Sequence, residues 1–276
     1  MRFFDLSRLE GPGADQLAQD YALAEPFPHV VLEDFVLAPA EKVVEAFPDT
    51  KWEGWIDVGR GKHQPGKSYC DNIELMPPLL GEMINELSRP TFLQALSNLT
   101  GIPNLLPDPF LVGGGLHYSL PGGKLSPHTD FHVHTGHKLF RRANLLVYLN
   151  PNWNEGDGGE VALFNLGDDH PVISVVPLYG NCVIFTTDHR SVHGVTPISE
   201  NAPEVRRSIA LYYYTVEDVD VFSGDRKTYW YEPGQATSRT FSHRARAAAM
   251  RGALGTSKAL TRIAYRLDPD HPIRLR

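Results

Sequence analysis

Cysteine is scarce in this chain: 276 residues contain two, Cys70 and Cys182, far apart and in no C-x-x-C pair. That excludes a disulfide framework and a zinc knuckle. Long apolar runs are missing as well. No stretch approaches the ~20 apolar residues that cross a bilayer. The opening MRFFDLSRLEGPGAD carries acids and no apolar segment of signal-peptide length. The resulting expectation is a cytoplasmic chain with no membrane contact. Repeats, low-complexity segments and linkers long enough to set off a second catalytic domain are absent too. An even spread of charge is also lacking. Net charge is −7, yet residues 239–276 hold nine basic residues against Asp268 and Asp270, or +7, leaving 17 basic against 31 acidic, or −14, in the remainder.

Glycine and proline, by contrast, are plentiful at 24 and 22, and hydrophobic residues make up 42% of the chain. A substantial core with many turns follows. The segment HVVLEDF (29–35) reads as a strand and Pro39–Phe47 as a short helix beginning at proline. Leu80, Met83, Ile84 and Leu87 fall at i, i+3, i+4 and i+7, one helical face. Pro90 interrupts the pattern, which Phe92, Leu93, Leu96 and Leu99 resume. From Leu111 the texture changes to short β-rich segments between turn clusters: LVGGGLHYSL, ANLLVYLN, EVALFN, VISVV, NCVIFTT and SIALYYYT. Their spacing predicts an all-β sandwich or barrel. The expected fold is mainly β with flanking α: a jelly-roll core over about 110–216, N-terminal helices, and a C-terminal helical extension. The domain division is 1–238 for the catalytic domain and 239–276 for the basic helical extension. There Leu260, Ile263, Ala264 and Leu267 form a second helical face.

His128-Thr-Asp130 is an H-x-D pair at a strand edge, and period-2 alternation turns both side chains to one face. Alone it says little, because twelve histidines among 33 acidic residues give about one such pair by chance. Its context says more. His193 follows in VHGVTP, and Arg206-Arg207-Ser208 opens the strand SIALYYYT. Two imidazoles and one carboxylate make a facial triad that leaves three octahedral positions for co-substrate and O₂. An arginine near it can grip a carboxylate bidentately. Arg206 shares a face with Ser208, Ala210 and Tyr212, so the R-x-S pair favours Arg206 over Arg207 as that grip.

HYSLPGGKLSPHTDF, RRANLLVYLN, GDGGEVALFN, VHGVTP and RRSIALYYYT together resemble the prolyl-4-hydroxylase-like branch of the Fe(II)/2-oxoglutarate oxygenases. The resemblance implies a double-stranded β-helix, a jelly roll, with His128, Asp130 and His193 as iron ligands. It implies Fe(II) as cofactor, 2-oxoglutarate and O₂ as co-substrates, and hydroxylation of a C–H bond in a peptidyl, prolyl, amino-acid or other small-metabolite substrate. It also implies that Tyr118, ten residues before the first ligand, and Tyr148 of the YLN segment bind 2-oxoglutarate carboxylates beside Arg206 and Ser208. Asn144 shares a strand face with Tyr148 and is expected in the same pocket. By the same alternation Arg142 is a candidate substrate contact.

Other residues take plainer readings. His132, His134 and His137 follow the strand into a polar loop and read as solvated or rim histidines. His189, four before His193, competes with it for the metal but lies at a strand end. His117 faces away from Tyr118 and reads as a packed histidine; Asp157-Gly158-Gly159 reads as a turn. Trp52 and Trp55 read as core or lid. Two further functional classes stay open: a jelly-roll metal protein that does not turn over 2-oxoglutarate, and an oxygenase directed to nucleic acid by its basic tail. The tail's sparse aromatics, Phe241 and Tyr265, speak against single-strand stacking. The substrate and the oligomeric state are not encoded in any motif.

Overall fold

A computed structural model of the chain describes residues 1–134, 137, 139–216 and 228–231. The N-terminal part runs α1 (Ser7–Glu10), α2 (Ala14–Leu23), β1 (His29–Leu32), α3 (Ala40–Ala46), β2 (Ile56–Asp57) and β3 (Lys67–Cys70). Next come α4 (Pro78–Glu86), α5 (Pro90–Thr100), β4 (Leu106–Pro107), β5 (Gly115–Ser119) and β6 (Leu125–Thr129). The rest comprises β7 (Leu139–Tyr148), β8 (Val161–Phe164), β9 (Ile173–Val175), β10 (Cys182–Thr186), β11 (Val192–Val195), β12 (Arg206–Val216) and β13 (Tyr229–Trp230).

The helical pair α4–α5 follows directly from its sequence. Pro78 and Pro90 each occupy the first turn of a helix, where the missing N–H costs nothing and the fixed φ is already helical. Gly101, at φ 69°, ends α5 in the left-handed conformation. Leu80, Met83, Ile84, Leu87, Phe92, Leu96 and Leu99 are all buried, as their spacing predicts.

Two antiparallel sheets form the core. The larger has the order β1-β10-β7-β12-β5-β3-β2, with β4 also pairing β12; the smaller is β13-β6-β11-β8-β9. This is the expected jelly roll. Alternation along β7 and β12 divides their side chains between two environments. Leu145, Val147, Ile209, Leu211 and Tyr213 pack with the helices into the main apolar cluster. Asn144, Leu146, Arg206, Ser208, Ala210 and Tyr212 instead face a cavity between the sheets.

The alternation slips once. Tyr213 pairs with Ala143 but Tyr214 pairs with Arg141, so Arg142 is an extra, bulged residue in β7. A bulge of this kind reverses the facing beyond it. Arg141, not Arg142, therefore reaches the cavity.

The expected helical extension at 239–276, and with it the boundary at 238, lies outside the described residues. Among the described residues no helix is long and apolar enough to cross a membrane.

Candidate metal centre

The smaller sheet carries the two histidines. His193 of β11 is directly opposite His128 of β6, and Asp130 follows β6 by one residue. All three are buried, and their ligand atoms lie within 4.8 Å of one another. His128 Nε2 is 3.6 Å from Asp130 Oδ1, and His193 Nε2 is 3.6 Å from Oδ2.

The backbone fixes how the imidazoles present themselves. His128 Nδ1 lies 2.9 Å from the Ser126 carbonyl and His193 Nδ1 lies 3.0 Å from the Ser191 carbonyl. A carbonyl oxygen can only accept, so each Nδ1 carries the proton and donates it. Each Nε2 is left with a lone pair directed at the centre of the triad, the tautomer a metal ion needs. Both strands use the same device, a carbonyl two residues back. Burial and the neighbouring His128 push the His193 pKa down to about 4, which keeps it neutral.

Asp130 must stay ionised although buried. Burial opposes its ionisation, but the Arg141 guanidinium holds its pKa well below the usual carboxylate value. Arg141 Nη1 is 2.8 Å from Oδ2, and Asn144 Nδ2 donates to the same oxygen at 2.7 Å. The guanidinium is itself clamped between the rings of Phe131 and Tyr212, at 4.1 and 3.6 Å from their centroids. The donor set, the tautomers and the stabilised charge all fit a divalent first-row metal with open coordination positions.

The cavity beside the triad has a volume of about 270 Å³. Arg206 enters it from the larger sheet, as expected. Its Nε donates to the Gly159 carbonyl at 2.6 Å, and its guanidinium lies over the Tyr148 ring at 4.9 Å. Gly159 has φ 75°, and a Cβ there would meet Arg206 Cδ at 3.2 Å and Trp153 at 3.1 Å. Glycine is thus required both by the backbone and by the close approach of Arg206. Arg207 turns to the other face, where it pairs with Glu204.

Three sequence expectations need correction. Tyr118 is directly opposite Arg207, not Arg206, so it lies on the helix side of the sheet. There it packs 4.8 Å from Trp55, and its hydroxyl donates to the Thr50 carbonyl at 3.5 Å, away from any co-substrate in the cavity. Asn144 does face the cavity, but its amide is committed to Asp130 and to Thr187, whose hydroxyl donates to it at 3.2 Å. It lines the expected cavity and also supports a metal ligand. Arg142, at the bulge, is absent from the cavity lining. His132 and His134 are buried rather than solvated, with His134 Nε2 3.6 Å from Asp108. His137 is exposed and stacks on Phe110. His189 is exposed, outside the triad.

Sequence reasoning missed Lys67, Tyr69, Arg141, His117 and Trp230, all of which line the cavity. Trp230 pairs with His128 across β13 and β6, and the two rings lie 4.8 Å apart. The aromatic run YWY (229–231) signals it, standing beyond the core segments in an otherwise polar stretch.

Two packed antiparallel sheets with a two-histidine, one-carboxylate cluster in the cleft between them define the class of jelly-roll non-haem iron oxygenases. The chain matches the family model of the 2OG-Fe(II) oxygenase superfamily over residues 114–214, the segment that holds the triad and Arg206. It is a 2-oxoglutarate-dependent dioxygenase, with Fe(II) as cofactor and 2-oxoglutarate and O₂ as co-substrates. No curated protein sequence matches the chain. Among solved structures it is similar to the epimerase SnoN in complex with Fe³⁺, α-ketoglutarate and nogalamycin RO. That pair has a TM-score of 0.51 and 15% identity, over 84% of this chain and 98% of that one. A prolyl hydroxylase from Trichoplax adhaerens in complex with a hypoxia-inducible-factor peptide matches at TM-score 0.49 and 20% identity, over 76% and 91% of the two chains. A prolyl 4-hydroxylase from Phytophthora capsici matches at TM-score 0.49 and 22% identity, over 77% and 65%.

Proposed function

We propose that the chain hydroxylates a C–H bond of a peptidyl, prolyl, amino-acid or other small-metabolite substrate, releasing succinate and CO₂, at an iron held by His128, Asp130 and His193. The observation that carries this reading is the pair of Nε2 lone pairs and the charged Asp130 converging beside a cavity that Arg206 enters from the opposite sheet. Bound Fe(II) with 2-oxoglutarate supplies the oxidising power, drawn from O₂.

The chain's own residues have distinct tasks. Three protein ligands leave room for a bidentate 2-oxo acid and O₂. Arg206, held by the Gly159 carbonyl and backed by Tyr148, receives the distal carboxylate together with Ser208, which is on the same face one row along β12. Arg141 and Asn144 hold Asp130 in place. Burial between the sheets excludes water from the reacting atoms.

The test is anaerobic addition of Fe(II) and 2-oxoglutarate, read by the weak visible charge-transfer band of their complex. Wild type should bind one equivalent of each. His128→Ala, Asp130→Ala and His193→Ala should show no band and no succinate formation, whereas His189→Ala behaves as wild type. A charge-assisted hydrogen bond contributes about 1.5–3 kcal/mol, so Arg206→Ala should need at least about tenfold more 2-oxoglutarate. A wild-type band that survives in any triad variant sinks the ligand assignment. Once a substrate is found, its product should gain the mass of one oxygen atom; an unchanged mass would replace hydroxylation with another outcome.

A further inference from the structure

The larger sheet presents its cavity face as cross-strand rows. Lys67, Ser119 and Arg206 are aligned across β3, β5 and β12; Tyr69, His117, Ser208 and Tyr148 form the next row across β3, β5, β12 and β7. Lys67 and Arg206 therefore sit two strand spacings apart, about 10 Å at the backbone, in one cavity. Arg206 is tied to the Gly159 carbonyl beside the smaller sheet. Lys67 lines the same cavity as the triad residues His128, Asp130 and His193.

Among the described residues that line this cavity, the charges do not balance. Among the described residues its lining has three cations, Lys67, Arg141 and Arg206, and a single carboxylate, Asp130. Arg141 is paired with Asp130. The two positive charges of Fe(II) and the two negative charges of 2-oxoglutarate cancel. Among the described lining residues two positive charges thus remain, and an uncompensated charge in a desolvated site is costly. Among the described residues Lys67 has no ion-pair partner within 4 Å.

A second observation is independent of charge. His117 lines the same wall, is only 7% exposed, and its Nε2 is buried without a hydrogen-bond partner. Buried polar atoms are nearly always paired, so a ligand group is the natural partner.

We infer that Lys67 and His117 are the recognition point for a carboxylate carried by the oxidised substrate, so that the enzyme acts on an acidic small molecule or an acidic residue. The inference rests on the iron and co-substrate assignments above. Lys67 supplies the charge and His117 a directed hydrogen bond, while Arg206 remains with 2-oxoglutarate. The substrate carboxylate would then be held on the wall facing the triad, with its oxidisable carbon turned to the metal.

The experiment uses the anaerobic Fe(II)·2-oxoglutarate holoenzyme and a panel of carboxylates (L-proline, L-glutamate, L-aspartate and phenylacetate) each beside its carboxamide. Two quantities are read: the shift of the charge-transfer band on addition of each probe, and the Kd of 2-oxoglutarate by calorimetry. Carboxylates should shift the band and their amides should not. Lys67→Met and His117→Leu should weaken that response by about tenfold or more, with the 2-oxoglutarate Kd within about twofold of wild type; Lys67→Arg, which keeps the charge, should retain it. The inference is overturned if no carboxylate responds at millimolar concentration, if amides respond equally, or if Lys67→Met keeps the response. It is also overturned if Lys67→Met weakens 2-oxoglutarate itself, which would assign Lys67 to the co-substrate and leave the metal site intact. A wild-type protein that forms no band at all removes the metal and co-substrate reading instead.

Discussion

Asp130 shows how a single ligand depends on side chains that never touch the metal. Its Oδ2 is held by Arg141 and Asn144, and Arg141 is the largest influence set against the burial that opposes ionisation. Arg141→Met should therefore lower Fe(II) or Co(II) affinity by about 10–100-fold, the usual cost of losing such support. The sign with pH is definite. In wild type the Asp130 pKa lies well below 3.8, so its contribution to metal binding and folding is present above that value and lost only as pH falls through the depressed pKa. In Arg141→Met the loss should begin at higher pH. Metal titrations at several pH values decide this, and an unmoved acid limb would show that Arg141 is not what holds the charge. At this scale the sequence was most legible where period-2 alternation runs unbroken: His128 with Asp130, and Arg206 rather than Arg207. It failed at Arg142 because nothing in the RRAN stretch announces a bulge. It failed at Tyr118 because the spacing that the resemblance implies conflicts with strand facing, which points His117 inward once Ser208 does.

At the scale of elements, the helices were readable and their attachment was not. The apolar faces of α4 and α5 follow from 3.6-residue spacing, and both proline starts are visible in the sequence. The residue joining the N-terminus to them is a buried acid, Glu86, which periodicity cannot distinguish from a surface residue. Its carboxylate accepts from the backbone N–H groups of Arg2 at 3.0 Å, Phe3 at 2.7 Å and Phe4 at 3.2 Å. Glu86 is only 1% exposed, and Phe3 and Phe4 sit in the main apolar cluster with α1 and α4. Glu86→Ala leaves three buried or half-buried donors without this acceptor. Hydrogen bonds to charged groups contribute about 1.5–3 kcal/mol and unsatisfied donors add to the loss, so destabilisation of about 2–4 kcal/mol is expected in urea unfolding. The metal site is on the opposite side of the larger sheet, so the Fe(II)·2-oxoglutarate band of the folded fraction should not change. A loss under about 0.5 kcal/mol, typical of surface substitutions, would mean that the N-terminal segment is not anchored there. The short strand β3 was likewise unreadable: Lys-Ser-Tyr-Cys has neither the length nor the alternation of a strand signal, yet it delivers Lys67 and Tyr69 to the cavity.

At the scale of the whole molecule, the jelly roll divides the labour between its sheets. The smaller sheet brings the histidines together, the larger one supplies Arg206, Ser208, Lys67 and His117, and the cavity exists only where the two face each other. Helices first and short strands afterwards made this architecture legible, because each strand segment is bounded by its own turn cluster. The order of strands was not legible, since hydrogen-bond partners far apart in sequence, such as β5 with β12, leave no local mark. Every described residue that lines the cavity falls between Val58 and Trp230. The basic segment 239–276 lies beyond that range and carries +7 of charge against −14 for the rest. Deleting it should leave one equivalent of Fe(II) and 2-oxoglutarate bound, with the Kd of each within about twofold and the substrate-free succinate rate retained. If the segment instead recruits nucleic acid, the full chain should bind RNA or DNA with an affinity that falls steeply with added salt, because phosphate contacts release counterions; the shortened chain should lose that binding. The expectation here is no such affinity in either chain, in keeping with an acidic body that repels phosphate at long range. Filter binding at low and moderate salt, run beside the metal titration, separates the outcomes. Salt-sensitive binding by the full chain alone would make the tail a recruiting arm, and a loss of 2-oxoglutarate binding on truncation would extend the site beyond Trp230.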